Sequence, residues 1–166
     1  KFPIAAQNGL WQQMVSDWLF SMPTPNPTVP NLSSLSKQLK KTILMSHSQS
    51  GIYPFQTAQL SSEGIAGIIA VEPSACPDAN TDMTPYTKMP IMILYGDYME
   101  ISPRWAPRLK ACRAFTEKAN QAGGKVELLL LPEVGITGNS HMIMQDSNSI
   151  QIADILGSWI EQRIKN

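Results

Sequence analysis

The sequence predicts an α/β fold, in which a mostly parallel sheet of about four strands is covered on both faces by helices, giving three αβα layers. Two observations predict this class. Strand-like apolar segments alternate four times with helix-like segments along the chain. The apolar residues within those strands are continuous rather than alternating, which is typical of parallel strands that are buried on both faces.

Before the first strand, the chain is predicted to be mainly helical. Residues 8–20 place large apolar side chains at three- and four-residue spacing, which predicts an amphipathic helix with Asn8 as its cap. Residues 22–30 contain four prolines and are expected to be extended. A short helix is predicted over residues 32–39.

The rest of the chain is predicted to alternate strictly between strand and helix. The predicted strands cover residues 41–45, 65–71, 91–95 and 126–131, and the predicted helices cover residues 50–60, 104–122 and 150–164. Glycine or proline follows most of these segments, as at Gly96, Gly123 and Pro132.

Length and composition limit the possible classes of protein. The 166 residues suit a single domain, residues 1–166. A formal net charge of zero, with only 16% charged residues, argues against a nucleic-acid surface and against docking of a basic patch on membranes. The apolar runs are far shorter than the roughly 20 residues of a membrane span.

Cysteine and histidine usage gives no sign of a metal or cofactor. Only two histidines are present and no Cys-x-x-Cys pair occurs, so a structural zinc site is not expected. We expect no bound cofactor. Cys76 and Cys112 can form one disulfide or remain free thiols, and their spacing does not decide between these states.

Residues 46–51, with the sequence Ser-His-Ser-Gln-Ser-Gly, lie between the first predicted strand and the helix that follows it. A serine flanked at two residues' distance by small residues, between strand and helix, is the pattern of a nucleophile elbow. Centring the elbow on Ser48 places Ser46 and Ser50 at the tight positions. Centring it on Ser50 would place the β-branched Ile52 there, so Ser48 is the better candidate. A serine-capped polar turn is the alternative interpretation.

The ends of the other strands carry the remaining groups that such a serine needs. Glu72 follows the second strand, Asp97 follows the third, and His141 lies in the loop after the fourth. In open α/β sheets, active sites lie beyond the carboxyl ends of the strands. A serine hydroxyl needs a neighbouring imidazole to accept its proton, and the imidazole needs a carboxylate to orient it. Position alone leaves both Glu72 and Asp97 open as the acid.

Three segments together resemble a known family. They are residues 46–51 around Ser48, residues 70–73 with the sequence Ala-Val-Glu-Pro, and residues 138–142 with the sequence Gly-Asn-Ser-His-Met. In these segments the chain resembles the C-terminal half of an α/β-hydrolase, within the arylesterase-type bacterial carboxylesterases. The resemblance departs from the family at Ser46, where a glycine is usual.

The resemblance implies a function and a set of residues. It implies a serine esterase that forms an acyl-enzyme on Ser48, with His141 as base and Glu72 as acid, acting on a small-molecule ester. Asp97 then becomes the alternative acid or a support for the His141 loop. The backbone N–H of Gln49 is expected to supply part of the oxyanion hole. A non-catalytic or truncated module that acts as an interaction partner is the alternative function.

The resemblance also implies that part of the fold lies outside these residues. In the family the elbow follows the fifth of eight strands, whereas only four strands are predicted here. We therefore expect the N-terminal half of the fold, or another chain, to cover the edge of the strand at residues 42–45. Because the family is largely exported, a secreted or periplasmic location is expected.

Overall fold

The protein is described by a computed structural model over residues 2–13 and 26–164. Its strands are β1 (Thr42–His47), β2 (Ile65–Val71), β3 (Pro90–Tyr95) and β4 (Lys125–Leu130). Its helices are α1 (Gln7–Gln12), α2 (Thr28–Leu39), α3 (Tyr53–Leu60), α4 (Ala106–Gln121) and α5 (Ser149–Arg163).

The four strands form one fully parallel sheet in the order β1-β2-β3-β4. Their register aligns the ends that matter for the site: His47 pairs with Val71, and Val71 pairs with Leu94. Because all four strands run in the same direction, the residues that follow them meet at a single edge of the sheet.

Each face of the sheet has its own apolar core. Leu44, Ile68 and Ile93 face the side where Phe55 of α3 and Phe115 of α4 pack. The other face packs against α5, and its buried residues are Ile69, Val71, Met92, Leu94, Leu131, Ile143, Ile152 and Trp159. Helices on both faces of a parallel sheet confirm the predicted three-layer α/β architecture.

The structure differs from the prediction mainly before β1. Helix α2 begins at Thr28 and not at residue 32, because Asn26 Oδ1 accepts hydrogen bonds from the N–H and the hydroxyl of Thr28, 2.9 and 2.6 Å away. Pro30 is therefore in the first helical turn, where its missing N–H has no helical partner to lose. Helix α1 already begins at Gln7, so Asn8 is not its cap. Residues 14–25 of the predicted helix and proline segment lie outside the described residues.

Strand β1 lies at one edge of the sheet. Within the described part of the chain it pairs with β2 alone. Met45 on this strand is 57% exposed. An apolar strand edge that is left open in this way favours pairing with further polypeptide.

Candidate active site

Ser48 lies at the sharp turn where β1 ends. The strand finishes at His47, and a 3-10 helix over Ser48–Ile52 leads into α3. The φ angle of Ser48 is 57°, in the left-handed region that residues with a side chain rarely adopt. Such backbone strain costs about 1–3 kcal/mol and persists only where surrounding contacts hold it.

Contacts with the chain after β2 hold this turn. The N–H of Ser74 donates to the carbonyl of Ser48 at 2.8 Å. A Cβ atom on Gly51 would lie 2.5 Å from the Cβ of Pro73, so a side chain there would push the two segments apart. Gly51 is therefore a tight position that the sequence analysis did not name. Ser50 donates from Oγ to the His47 carbonyl at 2.8 Å.

Glu72 is the first residue after β2 and is fully buried. Its φ angle is 48°, again in the left-handed region. Oε1 accepts a hydrogen bond from the N–H of Gly96 at 2.6 Å. A Cβ on Gly96 would lie only 2.7 Å from that oxygen, so the absence of a side chain at this position lets the carboxylate approach. The carboxylate is thus held on one side by main chain alone.

His141 joins Glu72 to Ser48. Its Nδ1 lies 2.7 Å from Glu72 Oε2, and its Nε2 lies 2.7 Å from Ser48 Oγ. Because an ionised carboxylate can only accept a hydrogen bond, Nδ1 carries the proton in the neutral ring. Nε2 is then free to accept the hydrogen of the Ser48 hydroxyl. The three side chains form one continuous line of hydrogen bonds from three different strand ends.

Asp97 touches the loop that carries His141 and not its ring. Oδ2 accepts from the N–H of Gly138 at 2.7 Å, and Oδ1 accepts from the N–H of Tyr98 at 2.7 Å. Both oxygens therefore bind main chain. This position suits the supporting role considered for Asp97 and leaves Glu72 as the carboxylate next to the imidazole.

A second carboxylate, Asp146, organises the same loop. It is buried, and it accepts hydrogen bonds from Asn139 Nδ2, Ser140 N and Ser140 Oγ at 2.7–2.8 Å. The sequence analysis missed this residue. Asp146 precedes a helix, where acidic residues ordinarily cap, and only the three-dimensional structure shows that it binds back to the loop.

Two other rings lie close to the imidazole of His141. The centroid of the Trp105 ring is 4.6 Å away and that of His47 is 4.8 Å away. Trp105 thus faces the site. His47 Nε2 lies 2.8 Å from the main-chain oxygen of His141. Neighbouring side chains at a sharp turn usually point apart, yet the side chains of both His47 and Ser48 contact His141.

Burial lowers the pKa of the His47 imidazole below its ordinary value of 6.5. The hydrogen bond to the His141 carbonyl opposes this shift, and the nearby His141 ring adds to it. His47 is therefore neutral at pH 7. A second positive charge beside His141 would make the protonation of that ring less favourable.

A hydrogen bond and a disulfide hold the segment after Glu72 in place. Tyr95 donates from its hydroxyl to the Pro73 carbonyl at 2.9 Å, and burial, with a smaller effect of the Glu72 charge, raises the pKa of Tyr95. A disulfide joins Cys76 to Cys112 of α4 and decides the question that spacing left open. The loop after Glu72 is thus fixed to β3 and to α4.

Gln49 follows Ser48 and is exposed at the start of the 3-10 helix. The first N–H groups of a helix have no acceptor within it, so they are available to an anion. The location of this residue is compatible with the expected oxyanion-hole role of its backbone N–H.

Within residues 2–13 and 26–164, no group of three or more His, Cys, Asp or Glu side chains is arranged to hold a metal ion. None of the helices in that part has the length and apolar character needed to cross a bilayer.

Comparisons with known proteins point to ester-hydrolysing relatives. A solved structure of a novel bacterial esterase superposes with a TM-score of 0.92 and is 56% identical, covering 98% of this chain and 51% of that chain. A relative from a fungal species (strain ATCC 74256), named "Probable secreted lipase phiG", is 23% identical over 177 residues, covering 79% of this chain and 49% of its own length. No protein-family model matches.

The chain spans about half the length of both relatives. The likeness to the esterase extends over 98% of this chain at 56% identity. Together with the parallel three-layer sheet, this likeness shows an α/β-hydrolase fold similar to that of the bacterial esterase.

Proposed function

We propose that this chain carries the catalytic residues of a serine carboxylesterase. The observation that carries the proposal is the line of two 2.7 Å contacts from Ser48 Oγ through the His141 ring to Glu72. The proposed nucleophile, base and orienting acid are thus within hydrogen-bonding reach before any substrate binds. The bacterial esterase and the lipase found by comparison support the same class of reaction.

We propose a step in acyl transfer for each of these groups. Ser48 Oγ attacks the ester carbonyl while His141 Nε2 takes its proton, and Glu72 stabilises the imidazolium that forms. Collapse of the tetrahedral intermediate breaks the ester C–O bond, and Nε2 returns the proton to the leaving alcohol. Water then attacks the acyl-Ser48 with His141 again as base, releasing the acid and restoring the hydroxyl. The Gln49 N–H is proposed to donate to the oxyanion.

The rest of the site is proposed to come from polypeptide outside these residues. A second oxyanion donor is needed, since losing one donor costs about 10²–10³ in turnover. The open edge of β1 supports the same idea. Beside it lies an apolar groove of about 280 Å³, and its lining includes Met45, Val71, Met144, Ile152 and Leu156. We propose that the N-terminal half of the fold, or another chain, covers β1 and this groove.

A secreted or periplasmic location is proposed on two grounds. The Cys76–Cys112 disulfide is typical of oxidising compartments. The name of the fungal relative describes that protein as secreted.

The experiment that tests the function is ester hydrolysis by the full natural polypeptide. With 4-nitrophenyl acetate as substrate, Ser48→Ala is expected to lose at least about 10³-fold in kcat. Ser50→Ala is the matched control, because it removes one elbow hydrogen bond without removing the proposed nucleophile, and we expect it to keep at least about a tenth of the activity. Equal losses in the two variants would contradict the assignment, and an inactive wild-type protein would favour the non-catalytic module.

A further inference from the structure

His47 forms a second link between the elbow and His141. The first link joins Ser48 Oγ to the imidazole, at 2.7 Å. The second joins His47 Nε2 to the main-chain oxygen of His141, at 2.8 Å. Because a carbonyl only accepts, Nε2 of His47 must carry a proton. Ser48 therefore contacts the ring of His141, the proposed base, and the preceding residue, His47, holds its backbone.

The backbone link matters because the ring alone does not fix the loop. Asp97 and Asp146 hold the main chain of Gly138 and Ser140, which precede His141. His47 holds the carbonyl of His141 itself, and its ring also packs on the imidazole with planes 35° apart. A movement of the elbow would thus carry the base with it and preserve the distance between Nε2 and Oγ.

We infer that His47 is a positioning residue for the proposed base: its Nε2–H holds the main chain of His141 so that the imidazole stays in line between Ser48 and Glu72. The inference rests on the proposed function. His47 touches neither Ser48 Oγ nor Glu72 through a hydrogen bond in the structure, so it acts through His141.

The charges around His47 suit a neutral donor. The titratable groups facing it are the His141 ring and the Glu72 carboxylate. During acyl transfer His141 becomes an imidazolium, and a cationic His47 only 4.8 Å away would oppose that step. A neutral imidazole provides the hydrogen bond without this repulsion.

The test compares three variants of the full natural polypeptide. In His47→Gln the amide nitrogen reaches about as far as Nε2, whereas in His47→Asn it reaches only as far as Nδ1; His47→Ala has no donor. The readouts are the rate of fluorophosphonate labelling at Ser48, and kcat and KM for 4-nitrophenyl acetate. We expect His47→Gln to stay within about threefold of wild type. His47→Asn and His47→Ala should lose about 10- to 100-fold in kcat and in labelling rate, with KM within about threefold, since small misplacements of a base are costly.

If His47 had only a structural role, its variants would lose thermal stability, and their kcat and labelling rates would not depend on where the replacement side chain places its donor. Equal losses in His47→Gln and His47→Asn, or a loss confined to KM, would overturn the inference. Should the variants fail to fold, ¹⁵N-histidine NMR of the wild-type protein decides: the Nε2–H tautomer of His47 is expected, and the Nδ1–H tautomer overturns the inference. A wild-type protein that is not labelled at Ser48 refutes the proposed function, whereas normal labelling of every His47 variant refutes only this inference.

Discussion

Replacing Glu72 by glutamine perturbs the line of hydrogen bonds at a single atom. Oε1 of Glu72 accepts from the N–H of Gly96, and Oε2 faces His141 Nδ1. In Glu72→Gln the amide oxygen can keep the bond from Gly96 only if the amide NH₂ turns toward His141. Nδ1 must then accept, the ring proton moves to Nε2, and Nε2 can no longer take the proton of Ser48.

The opposite amide orientation is also costly. It would place NH₂ against the N–H of Gly96 in a fully buried position, leaving two donors facing each other. An unsatisfied buried polar group costs about 1–3 kcal/mol. We therefore expect the first orientation, with the wrong tautomer of His141. The corresponding change in serine proteases costs about 10⁴ in kcat, so Glu72→Gln should lose about 10³- to 10⁴-fold, or about 4–5.5 kcal/mol of transition-state stabilisation.

Asp97→Asn is the matched control for this prediction. It also converts a carboxylate to an amide, but it affects one hydrogen bond to main chain, either at Gly138 or at Tyr98. A loss of about tenfold or less is expected. The assay is kcat/KM for 4-nitrophenyl acetate with the full natural polypeptide, and circular dichroism checks that both variants fold. A larger loss in Asp97→Asn than in Glu72→Gln would refute the choice of acid.

Three further predictions follow from single contacts. Gly96→Ala places a Cβ 2.7 Å from Glu72 Oε1 and should lower kcat at least about tenfold. Its control, Gly157→Ala in α5, meets nothing within 4 Å and should stabilise the fold by about 0.5–1 kcal/mol without changing kcat. Equal kcat values in the two variants would contradict this. Removing the Cys76–Cys112 bond, which spans 36 residues, should lower the free energy of unfolding in urea by about 4 kcal/mol on the chain-entropy model, and a change below about 1 kcal/mol would refute that estimate. Burial lowers the pKa of His47, so the unfolded chain binds a proton there more readily than the folded protein does. The stability that His47 contributes is therefore complete above pH 6.5 and is lost as the pH falls through its folded pKa. In urea unfolding, the free energy of unfolding should fall less between pH 7.5 and pH 5.5 in His47→Gln than in the wild type, and an equal fall in both proteins would contradict the shift.

The sheet could be predicted from the sequence because its signal is local. Continuous apolar runs such as residues 65–71 are buried whatever their neighbours are, and the observed β2 has the same bounds. Parallel strands place the residues that follow them at one edge of the sheet. The sequence alone therefore predicts that Ser48, Glu72 and His141 lie near one another. The choice between Glu72 and Asp97 required the family resemblance, since both residues follow buried strands.

Other parts of the site depend on contacts between distant segments, and no local pattern predicts them. The orientation of His47 depends on a main-chain carbonyl 94 residues further along the chain, which its place next to a turn does not predict. Asp146 looks like a helix cap in the sequence, yet it binds Asn139 and Ser140. The tight glycine at Gly51 depends on Pro73, which belongs to another loop.

The central claim is that Ser48 acts as a nucleophile activated by His141. Its most direct measurement is peptide mass spectrometry of the full natural polypeptide after reaction with a fluorophosphonate. We predict one phosphonyl group on the peptide that contains residues 46–51, located at Ser48, and labelling slowed by at least about 10³-fold in His141→Ala. A label on Ser50 instead, or labelling of Ser48 at an undiminished rate without His141, would contradict the account.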